Sequence, residues 1–424
     1  MALKYLLFKV IIVSSIILFG CTSIQYPSHV AVSDYQYMKL SRGVTFHNLF
    51  ASTKNQAYES QSKRRSRMQV LDTLVSNFQP RGLTCVRLTV DPYLVFKNGC
   101  FSNFDSVSAL GKESEQLHFF NKDVLDDILQ SIKICTSRNV CVDLVFYTEH
   151  KQNANKIDIK DQLYKNPRFV HTFGKLWSVF AKQISNTYTS EQVMFEIINE
   201  PNFRGAFFNE NISKDSIAKT VKINLWNIGQ LPTARMWLFT QEVLISYIRT
   251  AAPEFTIIAS IDDNSHLNAL PFSDRSLDKN VVYAIHFYEP DIFTHQSATF
   301  HPYAKYIKNL HYPYDSTNVA EVIKDVPVDL NWILTGYRGY SKETILSSIA
   351  KAKNWADNHN IRIWIGEAGV YAQSAPRTCV GQYYQDLFEA ASKNKIGVAL
   401  WDYDDPLFCN AFNQPGLENF WYNK

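Results

Sequence analysis

Between residues 43 and 401, short apolar runs alternate with segments of helical periodicity. The runs are Gly43–Phe46, Thr84–Val90, Val140–Phe146, Gln192–Ile198, Phe255–Ser260, Val281–His286, Ile361–Ile365 and Ile396–Trp401. Most are continuously apolar rather than alternating, the pattern of parallel strands covered on both faces. The helices between them show in the spacing. Leu71, Leu74, Val75 and Phe78 fall at i, i+3, i+4 and i+7. Val124, Leu125, Ile128, Leu129 and Ile132 form a similar stripe, as do Phe169, Phe173, Leu176, Trp177 and Phe180. Further helices are predicted at Thr233–Thr250, Lys342–Asn358 and Gly381–Lys393. Only a short helical turn is expected after the fifth strand, and a short helix or none after the eighth. This order predicts an α/β fold, a single-domain (β/α)8 TIM barrel. A doubly wound open sheet also alternates strand and helix, but no Gly-rich phosphate loop follows the first strand.

Four long connections follow strands rather than helices: Asp91–Asn121, Tyr147–Lys165, Asn202–Pro232 and Phe287–Ser341. In a barrel these long βα loops emerge on the C-terminal face, where active sites sit. They carry Phe207, Phe208, Trp226, Phe293, Phe300, Tyr303, Tyr306, Tyr312 and Trp332. Most of these rings are expected to pack the loops onto the rim. One or two are expected to be platforms on which a sugar stacks.

Composition narrows the class. Of 424 residues, 46% are hydrophobic, enough for a large core, and the formal net charge of +3 argues against a nucleic-acid partner. The amino terminus reads as a processing segment. Lys4 and Lys9 precede an apolar run, Val10–Phe19, that is too short to span a bilayer. Leu18-Phe19-Gly20-Cys21 resembles a bacterial lipoprotein box, which implies lipidation of Cys21; an ordinary signal peptide is the alternative. The expected division is a signal over 1–21, a tether over 22–40 and the catalytic barrel over 41–424. The protein would be exported, and lipid-anchored to the cell envelope membrane or secreted. Six cysteines remain: Cys85, Cys100, Cys135, Cys141, Cys379 and Cys409. In an exported chain they are disulfides or buried thiols. Cys379 and Cys409 fall after neighbouring strands and are expected to pair. No metal-binding spacing occurs, no cofactor is expected, and the chain is expected to act as a monomer.

Two strand ends carry the chemistry. The fourth run ends Glu196-Ile197-Ile198-Asn199-Glu200-Pro201, and the seventh ends Ile365-Gly366-Glu367-Ala368-Gly369. Glu196 lies mid-strand, the place of a buried ion-pair partner. Glu200 and Glu367 lie at the carboxyl ends of strands that face each other across a barrel. Two carboxylates about 5–5.5 Å apart perform retaining glycoside hydrolysis, one as nucleophile and one as acid and then base.

These motifs resemble glycoside hydrolase family 5, the cellulase family of retaining clan-A barrels. Asn199-Glu200-Pro201 and Gly366-Glu367 match it, as do Arg42-Gly43-Val44, Val86-Arg87-Leu88, Ala284-Ile285-His286-Phe287-Tyr288 and Trp401-Asp402-Tyr403, in the family's order over about residues 42–405. The resemblance implies that Glu200 is acid/base and Glu367 nucleophile. It implies that Asn199 binds the sugar 2-hydroxyl, Arg87 keeps Glu367 ionised, and Tyr288 donates to Glu367. His286 would touch the acid/base or the sugar, and Trp401 would floor the sugar site. Outside that resemblance His286 reads as a structural histidine and Trp401 as core. The family's third strand ends in a cleft histidine. Here Val142-Asp143-Leu144-Val145-Phe146-Tyr147 leads to His150, so Tyr147, His150 or His47 takes that place. The implied function is an endo-β-glucanase acting on a β-glucan or a related β-linked polysaccharide. The alternatives are a glucan transglycosylase with the same residues and a non-catalytic carbohydrate-binding surface protein.

Overall fold

The computed structural model describes residues 30–51, 60–97, 99–101, 117–148, 157–212, 219–371, 373–403, 408 and 416–417, with backbone alone over 209–212 and 219–230. Eight strands run in chain order: β1 Arg42–Phe50, β2 Cys85–Val90, β3 Cys141–Phe146, β4 Val193–Glu196, β5 Ile257–Ser260, β6 Val281–His286, β7 Arg362–Ala368 and β8 Val398–Leu400. Each pairs in parallel with the next, and β8 pairs with β1, so the sheet closes into the expected barrel. Closure removes both edges of this sheet, so each of these eight strands is paired on both sides.

Eight helices matter to the argument: α1 Asp34–Met38, α2 Gln61–Phe78, α3 Lys122–Thr136, α4 Pro167–Ser185, α5 Phe203–Ile212, α6 Lys219–Ala251, α7 Lys342–His359 and α8 Arg377–Lys393. The apolar stripes read from the sequence are the faces these helices turn inward. Along α4, Phe169, Phe173, Leu176, Trp177 and Phe180 are all fully buried. Trp177 packs 4.0 Å from the Phe146 ring of β3 and donates its Nε1–H to Ile197 O at 3.0 Å. That bond clamps the segment leading to Asn199 and Glu200.

The structure departs from the sequence reading at three places. Residues 202–232, read as a connection ending at Pro232, are largely helical, because α6 runs through Pro232. One proline removes a single ladder bond and kinks a helix, but packing on the far side can carry the helix past it. Residues 33–40, read as tether, form a plug instead. Ser33 and Gln36 make a reciprocal capping box at the start of α1. Val32 and Leu40 join the inward residues Cys85, Cys141, Met194, Ile258 and Trp364 in one apolar cluster at the amino ends of the strands. The Tyr37 hydroxyl donates to Ile363 O at 2.6 Å. Gly397 is required beneath this plug, since a Cβ there would lie 2.0 Å from Leu40 O.

The third departure concerns the cysteines. Cys379 is a free thiol in the first turn of α8, packed against the core, and so not in the loop expected to bring it to Cys409. Cys409 and Cys21 lie outside the described residues. Cys85, Cys100, Cys135 and Cys141 are buried free thiols. Among the described residues no helix is long and apolar enough to cross a membrane.

Trp177→Ala should therefore lower stability by about 3–5 kcal/mol, the cost of emptying a large buried site. Urea denaturation of the variant against wild type measures it, and Trp177→Phe should recover most of the loss.

Candidate active site

The inward positions of the barrel are apolar at the floor and charged toward the carboxyl ends. Arg87 on β2 stands in register with Thr45 on β1 and Asp143 on β3. It is fully buried, so its charge must be answered inside the protein. Its Nε and Nη2 donate to the two oxygens of Glu196 at 2.7 and 2.9 Å, its Nη1 to Glu367 Oε1 at 2.6 Å, and Nη2 also to Asn199 Oδ1 at 2.8 Å. The Ser260 hydroxyl donates to Glu196 as well. Burial pulls the Arg87 pKa down, but Glu196 and Glu367 more than reverse this and hold it well above its usual value. Burial pushes Glu196 up, while Arg87 pulls it below the ordinary carboxylate range.

Asp143 is the residue the sequence reading passed over. Its Oδ2 lies 3.6 Å from Arg87 Nε, and both partners are fully buried. Burial first and the Glu196 charge second push its carboxyl well above the usual range, and neither of its oxygens has a hydrogen-bond partner. One guanidinium thus faces three carboxyls. The available signal was a lone acid inside an apolar strand, at the position level with Arg87.

Glu367 lies near the end of β7, paired with His286 in the β6–β7 register. The Tyr288 hydroxyl donates to its second oxygen at 2.9 Å. Burial pushes the Glu367 carboxyl up, and His286, Arg87 and Tyr288 oppose that shift. Burial and the Glu367 charge push the Tyr288 phenol well up, so it stays a donor. Burial pulls the His286 pKa down, favouring the neutral ring.

Glu200 follows β4 in the left-handed backbone region, with φ at +47°. Few non-glycine residues adopt this conformation, and here it turns the side chain out of the strand line toward β6. His286 Nδ1 lies 2.8 Å from Glu200 Oε1 and 3.5 Å from Glu367 Oε2. The ligand-type atoms of Glu200, His286 and Glu367 all lie within 4.8 Å of one another. These three are the residues that could hold a cation, but both Glu367 oxygens already accept bonds from Arg87 and Tyr288. The donor set suits proton transfer and sugar chemistry better than ligation.

Trp401 stacks on Tyr147, with centroids 5.8 Å apart and planes at 18°, and His47 packs against both rings. His47 Nδ1 also lies 3.0 Å from Thr89 Oγ1. Of the three candidates for the missing third-strand histidine, Tyr147 and His47 meet at Trp401, and His150 lies outside the described residues. The structure therefore gathers Arg87, Asn199, Glu200, His286, Tyr288 and Glu367 in one bonded constellation, with Trp401 nearby. Tyr288 packs against the cluster that contains Trp401.

Comparison with known proteins identifies the family and the fold. The profile of the family Cellulase (glycosyl hydrolase family 5) matches residues 51–406. Endoglucanase 3 of Fibrobacter succinogenes is 26% identical over 67% of this chain, and the match spans 40% of that protein's length. Endoglucanase C of Acetivibrio thermocellus is 23% identical over 67% of this chain and 74% of its own. An endoglucanase of Thermotoga maritima, 15% identical, superposes over 88% of this chain and 92% of its own with a TM-score of 0.60. With the family profile covering most of the barrel, the chain belongs to the cellulase family, glycosyl hydrolase family 5.

Proposed function

We propose that the protein is a retaining endo-β-glucanase that cleaves β-linked polysaccharide by double displacement on Glu200 and Glu367. The observation that carries this reading is the approach of the two carboxylates and His286 to within 4.8 Å. So close an approach favours the retaining arrangement, with carboxyl groups roughly 5–5.5 Å apart, over the inverting one at about 6.5–9.5 Å. Membership of the cellulase family and likeness to two endoglucanases support the substrate class.

In the first step Glu367 attacks the anomeric carbon while protonated Glu200 gives its proton to the departing glycosidic oxygen. A glycosyl ester forms on Glu367 and the C–O bond to the leaving sugar breaks. In the second step Glu200, now a carboxylate, takes a proton from water, whose oxygen displaces Glu367 from the sugar. Arg87 and Tyr288 hold Glu367 in its attacking orientation, and their bonds stabilise it as the leaving carboxylate. Asn199, its acceptor end fixed by Arg87, is placed to meet the sugar 2-hydroxyl, and Trp401 to floor the sugar ring. The intact network around Arg87 weighs against a non-catalytic binding protein, in which nothing would maintain such a costly cluster of buried charge. We further propose that Cys21 is the lipid attachment point and that the protein works at the envelope surface.

Three measurements test these readings. Glu200→Ala should keep early turnover of an activated aryl β-glycoside, lose polymer hydrolysis, and give a β-glycosyl azide with azide. Glu367→Ala should be inactive on both, with any azide product of α configuration; the reverse pattern would exchange the two roles. Product NMR showing inverted anomeric configuration would sink the double displacement altogether.

Tyr288→Phe removes a donor to ionised Glu367, so the nucleophile holds its proton to higher pH. The acidic limb of kcat/KM should move up by about one unit, the worth of a hydrogen bond to a charged group. An unchanged or lowered limb in the pH–rate profile would contradict the assignment.

Cys21→Ala should abolish incorporation of labelled lipid and release the protein from membranes. Unchanged labelling would remove the lipid-anchor reading.

A further inference from the structure

In the proposed mechanism Glu200 gives up a proton and later takes one back at a fixed place, yet it lies beyond the end of β4, outside the sheet ladder. Its side chain is 25% exposed, against 5% for Glu367. Glu367 is held by Arg87 and Tyr288. The turn that carries Glu200 is held from other elements.

Just after Glu200 the chain enters α5 at Phe203, and the first N–H groups of a helix have no partners inside it. Asn202 Oδ1 accepts from Gly205 N at 2.6 Å. The two amides before Gly205 are answered from elsewhere in the sequence. Asp262, in the loop after β5, accepts through Oδ1 from Phe203 N at 2.7 Å and from Arg204 N at 3.4 Å. Its carboxyl is buried, which is costly unless bonds fill its lone pairs. Burial pushes this carboxyl up to about 6, and bonds from the Asp263 and Phe203 backbones and the Thr233 hydroxyl oppose the shift. At neutral pH it is therefore a carboxylate, the form that suits the positive end of a helix.

Asp262 also opens the loop that reaches both Glu200 and its neighbour. The next residue, Asp263, pairs with the Arg204 guanidinium and ties the loop to α5 a second time. Asn264 N–H then donates to Pro201 O at 2.9 Å, and Ser265 O accepts from His286 N–H at 2.9 Å. These bonds form a bracket between the turn after β4, the first turn of α5 and the start of the loop after β6. Asp262 supplies the buried charge in that bracket, and it does so through one side chain.

We propose that Asp262 is a positioning residue for Glu200: its carboxylate pins the first turn of α5 to the loop after β5 and so fixes the turn on which Glu200 stands. The proposal rests on the glucanase reading for the role of Glu200. Asp262 acts through the backbone and takes no part in bond cleavage. Its loss therefore shows in the step that needs the proton of Glu200 and spares the attack by Glu367. A poor leaving group departs only with that proton, whereas a good one leaves without it. Positioned general acids contribute about 10²–10⁴-fold, and displacing one forfeits part of that.

The test compares kcat/KM on phenyl β-cellotrioside, a poor leaving group, with that on 2,4-dinitrophenyl β-cellotrioside, a good one. Wild type, Asp262→Ala, Asp262→Asn and Glu200→Ala are measured side by side. Asp262→Ala should fall about ten- to hundredfold on the phenyl substrate and stay within about twofold on the dinitrophenyl one. Asp262→Asn keeps an acceptor for Phe203 N and should recover most of the loss. An equal loss on both substrates marks a merely structural residue and overturns the proposal, as does no loss on either. Should Asp262→Ala not fold, Arg204→Gln decides: a split of about threefold in the same direction supports the bracket, and an equal loss or none overturns it. A split in Glu200→Ala with none in Asp262→Ala overturns the positioning role and leaves the glucanase reading. No split in either removes Glu200 as the acid, and the positioning role with it. Wild type inactive on both substrates overturns the glucanase reading and the proposal together.

Discussion

A single buried guanidinium organises the centre of this barrel. Arg87 touches no solvent, and an unpaired charge in that position would cost several kcal/mol. Its planar fork meets Glu196 along one edge and reaches Glu367 from the other side, an arrangement a lysine could not copy. These contacts tie β2 to β4 and to β7, strands that are not neighbours in the sheet. The parallel ladder fixes where each strand lies, and Arg87 fixes how the inward side chains of three strands meet. Asp143 stands beside this pair, its carboxyl pushed well above the usual range by burial and by the Glu196 charge, which favours its neutral form.

Glu200 and Glu367 stand in different environments, and the backbone explains the difference. Glu367 sits on a strand, buried, with both oxygens accepting bonds. Glu200 sits one step beyond a strand, a quarter exposed, on a left-handed residue. The loop after β5 supports that turn. Asp263, Asn264 and Ser265 are all left-handed, and Asn264 N–H donates to Pro201 O, directly after Glu200. Ser265 O accepts from His286 N–H in the same loop. One strained segment thus positions both the outer carboxylate and the imidazole that touches it. A proton on Glu200 is thereby held over a rigid base, while Glu367 is held from below and from the side.

The barrel was legible because its strands are apolar on both faces and its helices carry clear stripes; β6 falls at Val281–His286, the run read from the sequence. Glu200, Glu367, Arg87, Asn199, His286 and Tyr288 were legible because each closes a strand or lies within one in a recognisable order. What stayed hidden depends on partners far away in sequence. Asp143 is an ordinary acid until Arg87 and Glu196 are brought beside it, and Arg87 itself reaches residues 109 and 280 positions distant. The plug at α1 was obscured because five helical residues show too little periodicity to stand out after the apolar run Val10–Phe19. Pro232 misled because a local breaking tendency is weaker than the packing of a long helix. Cys379 was read as a loop residue because the helical stripe becomes clear only from Gly381, whereas the helix already begins at Arg377.

The plug also fixes the direction from which the chain enters the barrel. Val32 and Leu40 lie at the amino ends of the strands, and the carboxylates lie at the other end. A hold on the chain upstream of residue 30 would therefore pull on the floor, away from the cleft. An attachment point at that end would work like the base of a cup, leaving the open mouth turned outward to meet a polymer too large to approach from beneath.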